Sequence, residues 1–579
     1  MGTISDKLMR IINTKEDIRQ ALISKGYDVP TSIPFKEYAK MISDLPCRVD
    51  SFPDIEGIVA RYSALGLTNE QMKENPVWVD KTGNGHDLQM KNFIWGGMSG
   101  IGGYNQNFNQ WGYGNLSTAT QTHTSYKIEL SVPSTLKTAN IYSNANSIGK
   151  EGDVYDFTLN IVGLKDGALL LITKGVVSGV IERIEKDGIY KIYQPIEAGW
   201  DQSRIYIFIS NPNSIDLNIT IEQLPIYPGA LVFDGVDDYG TCDNFPILTK
   251  EKGYTVVALR QYLVEKSTAY LTANGDSISN ASFIFEGNNY RDTWNFGKAT
   301  TIQASRILAT QTSKQYDGVK LNIGTNAEGS NLLQVGKWSK SYSNVAIWEL
   351  VFLDHDATEE ELTKIKDYFV KTYPWLFPDQ AWTVVGKTNE DEDRATIANI
   401  TGNGNDLVLS NFGFAEGSGY NEEGEYAGYL VTDGVDDKTV SSIFKLGKDF
   451  TVVGEWEFLQ DINNNSGLRK TSSFIIRNNA SGLSLFINRT LQATTVFNVK
   501  SLKAFCSNGL LVKNDWTEQI DTVSQIVTSS NSKLSIACRD DGVTEYDKFA
   551  FKNLAIYPMV LSKDDCIKAY NYLQTLKAK

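Results

Sequence analysis

Two stretches of this chain spell nearly the same ordered series of short motifs, and an ordered repeat restricts the fold more than any single element does. Phe52-Pro53-Asp54 opens one unit and Phe377-Pro378-Asp379 the other. Gly-x-Thr-Asn-Glu follows at 66–70 and 386–390, then Thr-Gly-Asn-Gly-x-Asp-Leu at 82–88 and 401–407. Asn-Phe recurs at 92–93 and 411–412, and Asp-Gly-Val-Asp-Asp at 234–238 and 433–437. Thr255-Val-Val257 and Thr451-Val-Val453 each lead an apolar strand. Both units close on an apolar strand, matched here as Val345–Trp348 with Leu554–Tyr557, and on an amphipathic helix capped by Thr358 or Ser562. Turn residues between short alternating runs predict strands rather than helices.

The units differ in one spacing. Phe93 to Asp234 is 141 positions, while Phe412 to Asp433 is 21. The first unit therefore carries a domain-sized insertion. Tyr126–Val132, Phe157–Ile161, Ile189–Tyr193 and Ile205–Ile209 alternate apolar and polar residues and predict a third β-sandwich. The expected organisation is an N-terminal helical segment (1–50), a first sandwich (51–114 plus 229–377), the insert (115–228) and a second sandwich (378–579).

Residues 1–45 have a different period. Ile4, Leu8, Ile11 and Ile12 share one helical face; Thr14 can cap a second helix carrying Ile18, Ala21 and Leu22, which Gly26 ends. Phe35, Tyr38, Ala39 and Ile42 form a third apolar face beyond Pro30 and Pro34. Three helices this short cannot build a strong core alone, so their faces need a partner. The run Ile4 to Gly26 followed by Pro34 to Ile42 resembles the N-terminal segment of phage tail and head fibre proteins. The resemblance implies virion attachment and trimerisation through Ile4, Leu8, Ile11, Ile12, Ile18, Leu22, Phe35, Tyr38 and Ile42. It points to a virion of the crAss-like type infecting Bacteroidetes-type hosts, assembled in the host cytoplasm and docked on capsid or tail proteins.

The repeat units, through Leu231–Tyr239 and the exit segment Val345 to Tyr368, resemble concanavalin A-like or laminin-G-like jelly rolls. The second unit departs at Thr432 and Lys438, where the first has Phe233 and Tyr239. The insert is similar in pattern to a carbohydrate-binding-module sandwich. The expected fold is mainly β: tandem concanavalin A-like jelly-roll sandwiches, one with an inserted β-sandwich, behind a short N-terminal α-helical anchor. The implied role is a structural virion fibre displaying lectin-like domains to glycans, with a capsular polysaccharide depolymerase as the alternative.

A net charge of −14 opposes nucleic-acid binding, which needs a basic surface. Five scattered cysteines are no disulfide framework and suit a reducing compartment. The N-terminus has no apolar signal core, and the longest apolar run, Ala168–Ile172, is too short to enter a bilayer as a span.

Several clusters carry candidate chemistry. Asp-Gly-Val-Asp-Asp places three carboxylates in five residues and could ligate calcium, but tight turns use the same residues and are favoured. Asn84-Gly85 and Asn403-Gly404 signal type I′ hairpins. The run Gly96–Gly103 lacks the Lys-Ser/Thr of a P-loop and predicts a flexible turn into the insert. Glycan capture needs aromatic faces beside polar groups; Trp95, Tyr104, Trp111, Tyr113 and Trp200 lie in polar loops and are the candidates. Three histidines (His86, His123, His355) without ligand spacing argue against zinc, and no Gly-x-Ser-x-Gly elbow occurs. Glu455 and Glu457 have glycosidase-like i, i+2 spacing, but Leu259 and Gln261 stand opposite them in the first unit, so an exposed polar strand face is expected. The chain is therefore expected to be non-enzymatic, with no catalytic residues, metal or cofactor.

Overall fold

The computed structural model describes residues 52–578 apart from 115–118, 144–153, 176–177, 196–203, 250, 264–270, 277–282, 286–291, 296–297 and 302–306. The stretches 314–329, 339, 461–465, 471–472, 480–481, 488–489, 498–500, 521–528 and 539–545 are also outside it. The attachment residues Ile4, Leu8, Ile11, Ile12, Ile18, Leu22, Phe35, Tyr38 and Ile42 lie outside the described residues. Two compact units result: a small one joining 1–54 to 363–372, in which the Phe52 and Tyr368 rings meet edge-on at 4.8 Å, and a large one holding 55–362 and 373–579.

The large unit is mainly β, in antiparallel sheets. Its first sandwich pairs an eight-stranded sheet, centred on Thr255–Tyr262 and Asn344–Leu353, with a six-stranded one containing Leu88–Lys91, Tyr239–Cys242 and Leu333–Val335. Trp78, Phe233, Phe245, Val256 and Phe352 fill the core between them. The second sandwich has two eight-stranded sheets, one centred on Thr451–Phe458 and Phe549–Tyr557, around Trp382, Phe450, Trp456 and Leu554. The insert has two five-stranded sheets, in which Lys127–Val132 alternates buried and open positions. Its core of Ile and Leu reaches back to Phe108 and Trp111, N-terminal to residue 115. Among the described residues, no helix is long and apolar enough to cross a membrane.

The repeated motifs are ties from side chain to backbone. In the first unit Asn69 donates to Ile101 O (3.1 Å) and accepts from Ile101 N (2.7 Å); in the second, Asn389 does the same with Tyr420 (both 2.8 Å). Such a pair replaces two ladder bonds that a short edge strand would otherwise lack. It also requires glycine beside it: a Cβ on Gly100 (φ 139°) would overlap Asn69 Oδ1, and one on Gly419 would crowd Asn389 Oδ1. Asp87 and Asp406 each accept from a backbone N–H across their loop, of Asp80 and Asn399 respectively (2.8 Å each).

Three expectations are corrected. The Asn-Gly pairs do not make two-residue type I′ hairpins, because Trp78 pairs with Leu88 and Ile397 with Leu407, leaving longer loops; neither Asn84 nor Asn403 has the positive φ that turn needs. The glycine run is a hydrogen-bonded turn (Gly96 N to Ser99 O, 2.9 Å) and a strand, Gly100–Ile101, paired with Leu231 and Val232. Its glycines let the two crossings into and out of the insert touch, since a Cβ on Gly102 would meet Pro225 at 2.9 Å. The exit strands match in kind but not in register. Thr255 pairs with Leu353 and Thr451 with Tyr557, so Trp348 is equivalent to Lys552 rather than to Tyr557.

If the Asn69 tie holds the neck, Gly100→Ala should lower stability by about 1–3 kcal/mol through left-handed strain and overlap. Urea unfolding of the full chain would read this as a lower midpoint, and an unchanged midpoint would show that the tie is dispensable.

Candidate functional site

The repeated acidic loops have the same geometry in both units. Asp234 Oδ1 accepts from Val236 N (2.7 Å) and Asp433 Oδ1 from Val435 N (2.7 Å), each closing an Asx turn that leaves the valine at its tip exposed. The last aspartate turns inward. Asp238 accepts from Asp234 N and from Ser99 Oγ, both at 3.0 Å. Asp437 accepts from Asp433 N (2.8 Å) and Ser418 Oγ (3.0 Å). Burial pushes the Asp238 carboxyl up to about 7 and that of Asp437 up to about 6, with hydrogen bonds from the loop partly opposing it. The three carboxylates of each loop lie close enough to share an ion. Yet both oxygens of the buried member are already committed, which favours the turn.

The proposed aromatic face divides. Trp95 is buried and stacks on Phe93 (4.7 Å); Tyr104 is buried and stacks on Tyr126 (5.3 Å); Trp111 is buried edge-on against Phe108 (4.9 Å). Trp95 belongs to the core of the first sandwich and Trp111 to that of the insert. Tyr113 is 41% exposed beside His123, and Trp200 lies outside the described residues.

The sequence did not single out the C-terminal helix, Lys563–Gln574, as part of a site. Ser562 caps it by accepting from Asp565 N (3.1 Å). Its buried Cys566, Ala569, Tyr570 and Leu573 recur at helical spacing. They cover the outer face of the sheet that holds Glu455. That face is not the exposed polar surface expected: Glu455 is 19% exposed, accepts from Tyr429 Oη (2.7 Å) and lies 3.6 Å from Lys552 Nζ. Lys503 Nζ donates to Tyr570 Oη at 2.7 Å. Burial alone would raise the Glu455 carboxyl, but Lys503 and Lys552, with hydrogen bonds from Tyr429 and Tyr570, outweigh it and hold it at about 2. Burial lowers Lys503, with Glu455 pulling the other way, and raises Tyr570 well above its usual value.

Beyond this network the helix meets the other two sandwiches. Thr575 accepts from Gln261 Nε2 of the first (2.8 Å), and Asn571 donates to Pro225 O at the neck of the insert (3.4 Å). A cleft of about 260 Å³ opens there, lined by Asn105, Thr158, Tyr227, Tyr570, Asn571 and Gln574 among others, with the Asp156–Lys191 ion pair at its side. Ligand pockets favour such junctions. The signal for it was the polar stripe Asn571, Gln574 and Thr575, at i, i+3 and i+4 beside the buried apolar face of the helix.

No family model and no curated protein matches this chain. Among solved structures it is similar to Trypanosoma rangeli sialidase in complex with sialic acid, at 8% identity and a TM-score of 0.23, covering 78% of this chain and 83% of that one. A mutant of that sialidase displaying trans-sialidase activity gives 8%, 0.24, 83% and 99%. The tandem CBM22 domains of Paenibacillus barcinonensis Xyn10C give 8%, 0.15, 44% and 97%. The expectation of a non-enzymatic chain is withdrawn here, because sialidases, which are enzymes, stand among these neighbours. Likeness at these TM-scores carries no argument for sialidase chemistry in this chain.

The raised carboxyls give a pH signature. A carboxyl whose folded value lies above its unfolded one (about 4) contributes stability that is present below pH 4 and lost as pH rises through the folded value. The contribution of these two carboxyls should therefore fall between pH 5 and 8, and Asp238→Asn should flatten the upper part of the slope they impose. Urea midpoints at unit steps of pH test this. Millimolar calcium should leave the midpoints unchanged, and a clear calcium-dependent rise would overturn the turn assignment.

Proposed function

We propose that this chain is a virion fibre protein, attached through its N-terminal segment and displaying β-sandwiches that bind surface glycans. The cleft where the three sandwiches meet carries the glycan part of this reading. Amide, hydroxyl and aromatic groups converge there, which is the equipment a sugar needs: donors and acceptors for hydroxyls, and a ring face for C–H surface. The attachment part rests on the resemblance of residues 4–42 to fibre anchors. Each cleft would bind weakly, and many copies on one particle would add through avidity.

A second reading, a capsular polysaccharide depolymerase, is favoured by one observation. Glu455 and Glu457 share the outer face of one strand, and Glu455 is held ionised, as a nucleophile or stabilising carboxylate would be. The same low value unfits Glu455 as a general acid, so the proton donor would have to be another group.

Immobilised capsular polysaccharide of the host should retain the full chain and release it to soluble polysaccharide. No retention by any host polysaccharide would remove the adhesion reading. Steady release of reducing ends, abolished by Glu455→Gln, would establish the depolymerase instead. Deleting residues 1–45 should leave the sandwiches folded and abolish incorporation into particles. Normal incorporation would exclude this segment as the anchor, and a native mass of three times the 64.4 kDa chain is expected for a trimer.

A further inference from the structure

We infer that the three-sandwich cleft is a subsite for a single neutral sugar ring, a hexopyranose without a carboxylate. This inference rests on the glycan-binding reading and names what the cleft selects.

Size comes first. About 260 Å³ falls just below the usual range for drug-sized ligands, which begins at about 300 Å³. The cleft suits one ring and not an extended oligosaccharide. Its walls have two characters. Leu224, Pro225 and Tyr227 supply an apolar side, while Asn105, Asn571 and Gln574 bring amides and Thr158 a hydroxyl-bearing position on the facing strand. Thr158 stands on the outer face of Val154–Val162, whose alternate residues Tyr155, Phe157, Leu159 and Ile161 fill the insert core. A pyranose has the same division, with C–H faces and a rim of hydroxyls.

Gln574 supplies the second observation. Its Nε2 is out of reach of solvent and has no hydrogen-bond partner. A buried donor left unpaired costs free energy, and turning this amide into the cleft toward a ligand oxygen removes that cost. The Asn571 bond to Pro225 O is long at 3.4 Å, so this amide can turn toward a ligand with little loss.

Charge decides between neutral and acidic sugars. Among the described residues Lys191 is the cation lining the cleft, and Asp156 already neutralises it. A sugar carboxylate would enter without an unpaired cation to receive it, on a chain of net charge −14. A neutral ring meets no such penalty.

Saturation-transfer NMR on the full chain tests this with D-glucose, D-galactose, D-mannose and N-acetyl-D-glucosamine, and with D-glucuronate as the acidic control. At least one neutral sugar should bind in roughly the millimolar range, as expected of a single small ring, and glucuronate at least tenfold more weakly. Thr158→Trp should abolish that signal by filling the cleft, and Gln574→Leu should weaken binding about tenfold, with both variants retaining the parent's melting temperature. Should Thr158→Trp fail to fold, Gln574→Leu carries the test alone. Absence of any neutral-sugar signal, preference for glucuronate, or binding unchanged in the folded variants would overturn the inference. If Gln574→Leu keeps full retention on polysaccharide while monosaccharide binding is missing, the cleft proposal falls and the adhesion reading stands. If the parent chain is not retained on polysaccharide at all, the adhesion reading falls first.

Discussion

A strand with no solvent-facing side dictates the arrangement of each sandwich. Asn344–Leu353 is buried at every position after the first, and Phe549–Tyr557 at all but Lys552. Such a strand cannot lie on the surface of an open antiparallel sheet, which would leave alternate residues in water. One face of each is met by the opposing sheet. For Phe549–Tyr557 the other face must be covered from outside the sandwich, and the helix that follows in sequence supplies the cover. A single buried Leu or Phe contributes about 1.5–3 kcal/mol on leaving water, so stripping the helix would expose more apolar surface than a marginally stable domain can tolerate.

This burial also explains what could be read from the sequence and what could not. Alternation made the insert legible, because its strands have one wet face, as in Lys127–Val132. The exit strands are apolar on both faces, and a pattern without period cannot fix register; Val345 was therefore matched to Leu554, although Phe549 is its equivalent. The acidic loops were legible as turns because Asp and Gly have local reasons to be there. Their partners Ser99 and Ser418 were not, since a serine's role as the hydroxyl for a carboxylate 139 or 19 residues away leaves no local mark. Equivalence can also change chemistry. Asn274 bonds the carbonyls of Ser330 and Leu332, and at the matching strand position Lys470 bonds those of Phe444 and Ser532. Burial lowers the Lys470 ammonium to about 8, a cost an amide avoids, and no alignment of letters pairs Asn with Lys for that reason.

The aromatic residues show the same limit from the other side. Trp95 and Phe414 occupy equivalent left-handed positions (φ 52° and 48°) in the two units, where a bulky side chain is uncommon. Each pays that strain back by packing beside the preceding Phe93 or Phe412. A tryptophan in an Asn- and Gly-rich loop looks like a ligand platform in sequence. In three dimensions Trp95 joins the core of the first sandwich, and Phe414 packs against the core of the second.

The C-terminal helix gathers these constraints into one element. Its apolar stripe is spent on the second sandwich, and the Tyr570 hydroxyl is spent on Lys503 and Glu455. What remains is the adjoining polar stripe, and it is this stripe that reaches the first sandwich and the neck of the insert. Cover and joint are therefore inseparable: the helix cannot leave the sheet without also opening the cleft, and the cleft cannot keep its shape unless the sheet stays covered. A ligand held by Gln574 and Asn571 would bind only the covered state. By mass action it would stabilise the packing of all three sandwiches together, so binding at a site built from one helix stripe would be felt across the large unit.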